Sequence, residues 1–323
     1  MPDTQYVARG ILRNGHTNSV LSGSVARKII VHKQCDSFIK QGQQQIIPAG
    51  HGIKLSAIIN KQKANHAPLV ILLHGWLGCA DSLYMLNLGD HLFKHGYHVV
   101  RLNFRDHGNS EHLNEKIFHS CRIQEVINAC SHIQQLFDVP ASIIGFSLGG
   151  NFALRINAYT IDHDLSLNKT VSICPVIDPA NTLASLENSI FIYQNYFMQR
   201  WKKSFHNKVD AYPKHYSKDI FGNFKSLREA TEVLAIKYAG FESLESYLNG
   251  YSIAGNRLST VRAPASIVLA KDDPIIPWED RQLLASNNNI DFHLSNHGGH
   301  CGFLNPDLTS PWINHYCLAR LTE

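Results

Sequence analysis

The chain has 323 residues, of which 44% are hydrophobic and 17% are charged, a composition that is typical of a globular protein and excludes a fibrous or disordered one. Its 30 Lys and Arg residues against 26 Asp and Glu residues give a net charge of only +4, without any run of five like charges that would indicate nucleic-acid binding. A chain of this length can bury a core without support from disulfides or metals, as one domain or as two.

Three features of the sequence predict a cytoplasmic protein. The first ten residues lack the apolar segment of a secretory signal. The longest apolar stretch in the first half of the chain covers residues 68–73, whereas a helix that spans a bilayer needs about 20 residues. The seven cysteines are scattered without a Cys-x-x-Cys pair, which is typical of reduced thiols.

Taken in chain order, the elements predict an α/β fold. Residues 1–45 carry weak strand signals and polar spacers, and we expect this N-terminal segment to wrap around the outside of the core. Beyond it, apolar runs alternate with amphipathic helical patterns, and the runs are almost continuous, which favours a mostly parallel sheet with helices on both faces. The predicted strands cover residues 69–73, 97–102, 142–146, 171–174, 266–270 and 290–294, and the predicted helices cover 121–137, 147–159, 280–286 and a C-terminal segment from Pro311.

A long insertion interrupts this alternation. Residues 179–258 show helical patterning that is rich in aromatic residues, as in 191–197. Because excursions from a sheet often carry function, we predict a helical lid over 179–258, on a core formed by 46–178 and 259–323. The alternative is that these helices only cover the surface of the core.

The strongest chemical motif is a Gly-x-Ser-x-Gly pattern centred on Ser147. It directly follows the predicted strand 142–146 and begins a predicted helix, which is the context of a nucleophile elbow. The glycines permit a sharp turn that exposes the serine above the sheet. We therefore predict Ser147 as a catalytic nucleophile, against the alternative of a purely structural turn.

A nucleophilic serine needs a base and an acid that orients the base, in the chain order serine, acid, histidine for this fold. The preferred acid is Asp273, which follows the strand 266–270 and precedes a rigid Pro-Ile-Ile-Pro turn. Asp272 is the second choice, with turn capping as its alternative role. Asp178 also follows a strand and is less favoured.

The base is expected in the loop 297–303, which follows the last predicted strand. His300 is preferred, because it directly follows two glycines and leads towards the last helix. His297 is interpreted as a loop or supporting residue. Cys301 lies beside the predicted base, but no elbow presents it, so we interpret it as a packed small residue.

Backbone N–H groups must stabilise the oxyanion of an acyl-transfer reaction. We predict the N–H groups of Trp76 and Leu148, which follow the strand 69–73 and Ser147. The side chain of Trp76 would line the acyl pocket or belong to the core. His74 and His107 are interpreted as structural residues of the loops that follow two strands.

Cofactor and metal sites lack support in the sequence. His91 and His95 have a spacing that can bind zinc, but neither the expected Glu nor a third ligand accompanies them. No glycine-rich nucleotide-binding pattern occurs. We therefore predict a protein without a metal site or cofactor.

Together these motifs resemble the α/β-hydrolase superfamily, and more narrowly its YheT-like branch, which includes animal abhydrolase-domain phospholipases and lipases and yeast medium-chain ester synthases. The resemblance covers most of the chain. The segment 15–21 is similar to an early His-containing segment of the branch, and 193–197 and 240–247 are similar to its lid signatures. The resemblance implies the α/β-hydrolase fold and the same triad of Ser147, Asp273 and His300.

The predicted function is hydrolysis of small-molecule carboxylic esters with short or medium acyl chains, through an acyl-enzyme. The alternatives are an acyltransferase that passes the acyl group to an alcohol, an amidase or peptidase with the same triad, and a non-catalytic binding module. The last is disfavoured because every triad residue is present. The aromatic lid suggests an apolar acyl site, and the mild positive charge would favour loose contact with anionic lipid.

Overall fold

One mixed β-sheet organises the part of the chain that the computed structural model describes, residues 5–160, 165–222 and 224–323. The sheet has the order β1-β2-β4-β3-β5-β6-β7-β8. The pairs β1-β2 and β2-β4 are antiparallel and the other pairs are parallel. The strands are β1 Gln43–Pro48, β2 Lys54–Asn60, β3 Leu69–Leu73, β4 His98–Leu102, β5 Ala141–Phe146, β6 Leu167–Ile173, β7 Ala265–Ala270 and β8 Ile290–Ser295.

The predicted mostly parallel sheet with helices on both faces is confirmed. Strand β3 is buried along its whole length, and its alternate side chains belong to two hydrophobic clusters. Val70 and Leu72 pack in the cluster of Leu88, whereas Ile71 packs in the cluster of Ile133. Leu88 belongs to helix α4 (Leu83–Lys94) and Ile133 to α5 (Ile123–Phe137), so each face of β3 is covered by a helix. The remaining helices of the core are α6 Leu148–Tyr159 and α11 Trp312–Thr322.

The weak strand signals of the N-terminal segment predicted the wrong type of element. The chain instead forms helices α1 (Gly15–Ser22), α2 (Val25–Gln34) and α3 (Asp36–Gln41). The side chains of Asn14 and Ser24 cap α1 and α2 by accepting hydrogen bonds from backbone N–H groups of the first turn. Exposed β-branched residues such as Val25 and Ile29 favour strands by propensity, but the caps and tertiary packing decide for helix.

Two further differences concern short elements. Strands β1 and β2 were not predicted, because they pair antiparallel at the edge of the sheet and β1 exposes five of its six residues. The helix expected over 280–286 is a short 3-10 helix at Trp278–Leu283.

The insertion is helical, as predicted. It contains α7 Pro179–Asn188, α8 Phe191–Ala211, α9 Leu227–Ala239 and α10 Leu244–Tyr251. Its division from the core stays a prediction. Among the described residues, no helix combines the length and the apolar character that crossing a bilayer requires.

The strand order brings two chemically important loops together. Strand β3 pairs in parallel with β5, with Leu73 opposite Gly145. The loops that follow these strands contain Trp76 and Ser147. Both therefore leave the sheet at the same edge, as neighbours.

Candidate active site

Ser147 occupies a strained turn between β5 and α6. Its backbone has φ 52° and ψ −117°, a conformation that L-residues rarely adopt and that clusters at functional sites. Between residues 141 and 150, Ser147 alone is not buried. Its N–H donates to the carbonyl of Ile173 (2.8 Å), which ties the turn to β6. The turn therefore presents one hydroxyl above a buried sheet, which is the geometry of a nucleophile elbow.

Asp273 and His300 meet from two different loops. The His300 Nδ1 atom lies 2.9 Å from Oδ2 of Asp273. The other carboxylate oxygen of Asp273, Oδ1, accepts hydrogen bonds from the N–H groups of Ile275 (2.8 Å) and Ile276 (3.0 Å). The Pro-Ile-Ile-Pro turn thus orients the carboxylate, whose side chain is only 2% exposed.

The pairing changes the proton affinity of the histidine. Burial by itself lowers the pKa of His300, but the negative charge of Asp273 and its hydrogen bond raise it, so that it lies well above the ordinary histidine value. An imidazole held in this way has Nδ1 committed to the carboxylate, which leaves Nε2 for proton transfer.

Hydrogen bonds hold the loop after β3 on both sides of Trp76. The N–H of Gly75 donates to the Tyr84 hydroxyl (3.0 Å), and the N–H of Leu77 donates to Nε2 of His107 (3.2 Å). The N–H of Trp76 makes no hydrogen bond within the described part of the chain. Leu148 is the first residue of α6, where an N–H has no helical acceptor. Both predicted oxyanion donors are therefore available for a ligand.

The same loop lies very close to the elbow. A Cβ atom placed on Gly75 would lie 3.3 Å from Cβ of Ser147, tighter than an ordinary van der Waals contact. A glycine at this position lets the backbone approach the serine.

Two buried histidines support this loop as neutral rings. Burial holds the pKa of His74 well below its ordinary value and lowers that of His107 to about 4. In each ring Nε2 accepts a backbone N–H, that of Phe104 for His74 and that of Leu77 for His107. Their Nδ1 atoms lie 2.7 Å from backbone carbonyls and so donate. Their interpretation as structural residues agrees with these contacts.

A cavity of about 750 Å³ joins these groups. Ser147, Leu148 and His300 line it on the core side, and Trp76 lines it next to the insertion. The Trp76 ring stacks on Phe197 and meets Trp201 edge-on, with centroids 5.4 and 5.0 Å apart. Most of the wall is apolar, and the insertion contributes a large part of it, including Leu183, Leu186, Phe205, Leu227 and Leu234.

The other predicted candidates have different contacts. Asp272 binds the N–H of Gly299 through Oδ1 (2.9 Å) and lies 3.4 Å from Nδ1 of His297 through Oδ2, so it contacts the histidine loop without contacting His300. Asp178 caps α7 by accepting from the N–H groups of Ala180 and Asn181. Neither carboxylate is hydrogen-bonded to the predicted base.

Cys301 shares the cavity wall with the histidine. It is half-buried, and its thiol donates towards the carbonyl of Ile173 (3.6 Å). The strand-to-helix turn that exposes Ser147 has no counterpart at Cys301, which follows His300 in a loop.

The two histidines that were considered for zinc are outside the cavity lining, His91 on α4 and His95 directly after its last residue. The rings of His91 and His95 are 4.5 Å apart, and the ring of His315 lies 4.8 Å from that of His91. Over residues 5–160, 165–222 and 224–323, no group of three or more His, Cys, Asp or Glu side chains is arranged to hold a metal ion.

The sequence did not identify the residues that hold the loops of the site in place. Tyr84 and Ser19 contact the two functional loops through hydrogen bonds to Gly75 and His300. The one sequence feature that pointed to Ser19 was the similarity of the segment 15–21 to the YheT-like branch. That similarity did not indicate a role for Ser19 in the site.

The chain is similar to known proteins in sequence and in fold. A family model described as "alpha/beta hydrolase fold" matches residues 68–307. The protein YheT of Escherichia coli (strain K12), which is named as an esterase, is 25% identical over 301 residues, covering 88% of this chain and 87% of that protein.

Two further similarities are more distant. The medium-chain fatty acid ethyl ester synthase/esterase 2 of Saccharomyces cerevisiae is 24% identical over 273 residues, covering 75% of this chain and 59% of that protein. The solved structure of the esterase Pf2001 of Pyrococcus furiosus is similar with a TM-score of 0.54 at 18% identity, covering 87% of this chain and 90% of that chain.

Proposed function

This chain belongs to the α/β-hydrolase fold family, and on that premise we propose that it is a serine hydrolase that cleaves carboxylic esters with short or medium acyl chains. The observation that carries the proposal is the hydrogen bond of 2.9 Å between His300 and Asp273, at the wall of the cavity in which Ser147 is exposed. YheT, of which this chain covers 87%, is named as an esterase.

In the proposed reaction, Ser147 is the nucleophile and His300 the base. The Ser147 hydroxyl attacks the ester carbonyl while Nε2 of His300 takes its proton, and the carbonyl oxygen becomes an oxyanion. The tetrahedral intermediate collapses, the imidazolium gives the proton to the departing alcohol, and an acyl-enzyme remains. Water, deprotonated by the same imidazole, then releases the acid and restores Ser147. Asp273 keeps Nδ1 protonated and stabilises the imidazolium.

The N–H groups of Trp76 and Leu148 are the proposed oxyanion donors. Each is held in place by the backbone, so it needs no reorganisation when charge develops. Loss of one such donor typically costs about 10²–10³ in rate.

The cavity supports the proposed acyl size. Pockets of about 300–1,000 Å³ enclose ligands of drug-like size, and the volume here is about 750 Å³. The apolar wall from the insertion suits an acyl chain, which gains about 0.8 kcal/mol for each buried CH₂ group.

Acyl transfer to an alcohol is the second candidate, and the yeast relative named as an ester synthase as well as an esterase favours it. Both reactions pass through the same acyl-enzyme and differ in the group that attacks it. We expect mostly free acid when alcohol is added at modest concentration. If the product is mainly the transesterified ester, the proposed function changes from hydrolysis to acyl transfer.

Loose contact with an anionic lipid surface is part of the proposal. Val25, Ile192 and Tyr196 line the cavity and are nevertheless 76%, 62% and 51% exposed, so they lie at its mouth. Lys28 and Arg200 line the same region. An apolar mouth with adjacent cations matches a membrane whose lipids carry negative charge.

Vesicle flotation tests this contact. Binding should increase when phosphatidylglycerol is added to phosphatidylcholine vesicles, and Ile192→Ser should weaken it. Phe292→Ser is the matched control, because Phe292 is 43% exposed on β8 and lies outside the cavity wall. Binding that is insensitive to the anionic lipid would contradict the proposal.

A cytoplasmic location is also proposed. All seven cysteines are free thiols, which suits a reducing compartment. Disulfides found in the protein isolated from its own cells would contradict this location.

The decisive test of the function is an initial-rate series with p-nitrophenyl esters from acetyl to palmitoyl, on the wild type and on Ser147→Ala. We expect rates that peak at a short or medium chain and that vanish in the variant. Activity that survives in folded Ser147→Ala would remove Ser147 as the nucleophile. A folded wild type that cleaves none of these esters but cleaves an amide would move the function to an amidase.

A further inference from the structure

Helix α1, in the N-terminal segment, packs directly against the loop that carries His300. The two segments are far apart in sequence, with Ser19 and His300 separated by 281 positions. The backbone N–H of His300 nevertheless lies within hydrogen-bonding distance of the Ser19 hydroxyl on α1. The proposed reaction does not itself require this helix, so the contact calls for a separate explanation.

The contact is a pair of short hydrogen bonds through one hydroxyl. Ser19 Oγ accepts the backbone N–H of His300 (2.7 Å) and donates to the carbonyl of Gly15 (2.7 Å). Because the hydroxyl donates one of these bonds and accepts the other, two fixed backbone groups define the rotamer of Ser19. The N–H of His300 is thereby attached to a helix rather than to solvent.

Glycines make the close approach possible on both sides. Gly299 has φ 56°, and a Cβ atom there would lie 2.6 Å from Ser19 Oγ and in contact with the carbonyl of Gly15. A Cβ atom on Gly15 would overlap the carbonyl of Asp272, the residue before Asp273. Helix α1 thus lies against both loops of the proposed acid-base pair, with no room for a side chain at either glycine.

A second α1 residue holds the loop beyond His300. Asn18 is fully buried, and its Oδ1 accepts the N–H of Leu304 (3.3 Å). Its Nδ2 donates to the carbonyl of Leu12 and to the Tyr6 hydroxyl. The Tyr6 hydroxyl in turn donates to the carbonyl of Leu304 (2.6 Å). The histidine loop is therefore anchored to the N-terminal segment at His300 and again four residues later.

We infer that Ser19 is a positioning residue for the catalytic histidine, whose main chain it fixes so that the imidazole remains bonded to Asp273 at the cavity wall. This inference rests on the proposed function. It assigns to the N-terminal segment a part in catalysis, in addition to covering the core. Small errors in the placement of a catalytic group are costly, since about 1 Å can cost 10²-fold in rate.

The test compares four variants with the wild type. Ser19→Ala removes the hydroxyl, and Ser19→Cys keeps its approximate size while replacing a good acceptor with a weak one. Ser19→Thr retains a hydroxyl as the conservative variant. Thr17→Ala is the matched control, because Thr17 is on the same helix and, among the residues that the structure describes, its hydroxyl bonds to Asn14 and not to the histidine loop.

Two rates are measured for each protein, both per folded molecule. One is kcat for the best p-nitrophenyl ester, normalised to active sites titrated with a fluorophosphonate. The other is the rate at which the fluorophosphonate labels Ser147, which does not depend on the choice of ester. Thermal unfolding checks that each variant is folded.

We expect Ser19→Ala and Ser19→Cys to lower kcat and the labelling rate by about ten- to a hundredfold, with KM little changed. Thr17→Ala should match the wild type, and Ser19→Thr should recover most of the rate. If Ser19→Ala does not fold, Ser19→Cys carries the test. Rates within twofold of the wild type in folded Ser19→Ala or Ser19→Cys would overturn the inference. If the proposed function itself is wrong, the fluorophosphonate will not label Ser147 even in the wild type.

Discussion

Oδ2 of Asp273 lies 2.9 Å from Nδ1 of His300, whereas the adjacent carboxylate of Asp272 bonds to Gly299 and lies near His297. The two acids therefore have separate partners in one loop. We expect Asp273→Asn to lower kcat by about 10⁴-fold, because an amide favours the wrong tautomer of the imidazole. Steady-state kinetics of the purified variant measures the loss.

Asp272→Asn is the matched comparison. The asparagine oxygen can still accept the N–H of Gly299, so the variant loses only the charge of that acceptor, which makes the hydrogen bond weaker by about 1–2 kcal/mol, and this loss acts only through the loop. We expect a loss of kcat of about 10²-fold at most, since 1.4 kcal/mol corresponds to a factor of ten. Equal losses in the two variants would contradict the assignment of Asp273 as the orienting acid.

The pH dependence follows from the raised pKa of His300. A general base works only when it is neutral, so kcat/KM should rise with pH through this pKa, which lies above the ordinary histidine value of about 6.5. In Asp273→Asn the carboxylate that raises the pKa is absent while burial, which lowers it, remains. The acid limb should then move to lower pH.

The other ionisable group beside the imidazole is the thiol of Cys301. Cys301→Ser should leave the limb above the ordinary value, because Asp273 supplies the larger effect. The explanation would be contradicted if the acid limb of the kcat/KM profile kept its pH in Asp273→Asn but shifted in Cys301→Ser.

The loop that carries the proposed oxyanion donor Trp76 is held by His107, whose Nε2 accepts the N–H of Leu77. His107→Phe keeps a ring but leaves that N–H without its acceptor, and the adjacent Trp76 N–H would lose its placement. We expect kcat to fall by up to about 10²–10³, the cost of one oxyanion donor, with a smaller change in KM. His112→Phe, an exposed histidine in the following segment, should have no effect, and equal kcat values in the two variants would refute the role of His107.

Stability should depend on a buried ion pair between the core and the insertion. Lys208 of α8 lies 2.9 Å from Asp106, with side chains only 2% and 8% exposed, and it also donates to the carbonyls of Glu111 and Asn114. Lys208→Met should lower the free energy of unfolding by roughly 3–5 kcal/mol, because it leaves a buried carboxylate without its partner.

Chemical denaturation measures this loss. Lys202→Met, at an exposed position of the same helix, should change stability by less than about 0.5 kcal/mol. The double variant Asp106→Asn/Lys208→Met should recover part of the loss. If the double variant is less stable than Lys208→Met, the unpaired carboxylate of Asp106 is not the cause of the lost stability.

Much of the fold was predictable because its signals are local. The apolar runs at 69–73 and 142–146 lie within fully buried parallel strands, and their character does not depend on distant residues. The same holds for the elbow, where two glycines flank Ser147. The placement of Trp76 beside Ser147 follows from the fold itself, since loops after adjacent parallel strands leave at one edge.

The rest depends on contacts between distant parts of the chain. Exposed Val25 and Ile29 carry strand propensity in a segment that caps and packing make helical. The bond from Ser19 to His300 joins the two ends of the chain, and no local pattern states which loop a helix will meet. The Pro-Ile-Ile-Pro turn favoured Asp273 over Asp272 in the sequence, but no local pattern indicated that Asp272 would meet Gly299 and His297 instead.

The central claim is that an acyl-enzyme forms on Ser147, and mass spectrometry of the acid-quenched reaction tests it most directly. With a p-nitrophenyl ester whose acyl-enzyme hydrolyses more slowly than it forms, the wild-type protein should release a burst of nitrophenol equal to the enzyme concentration. The peptide that contains Ser147 should carry the acyl group, and Ser147→Ala should show neither. An acyl group on Cys301 or Cys79, two thiols that line the same cavity, in place of Ser147, or full turnover by folded Ser147→Ala, would contradict the claim.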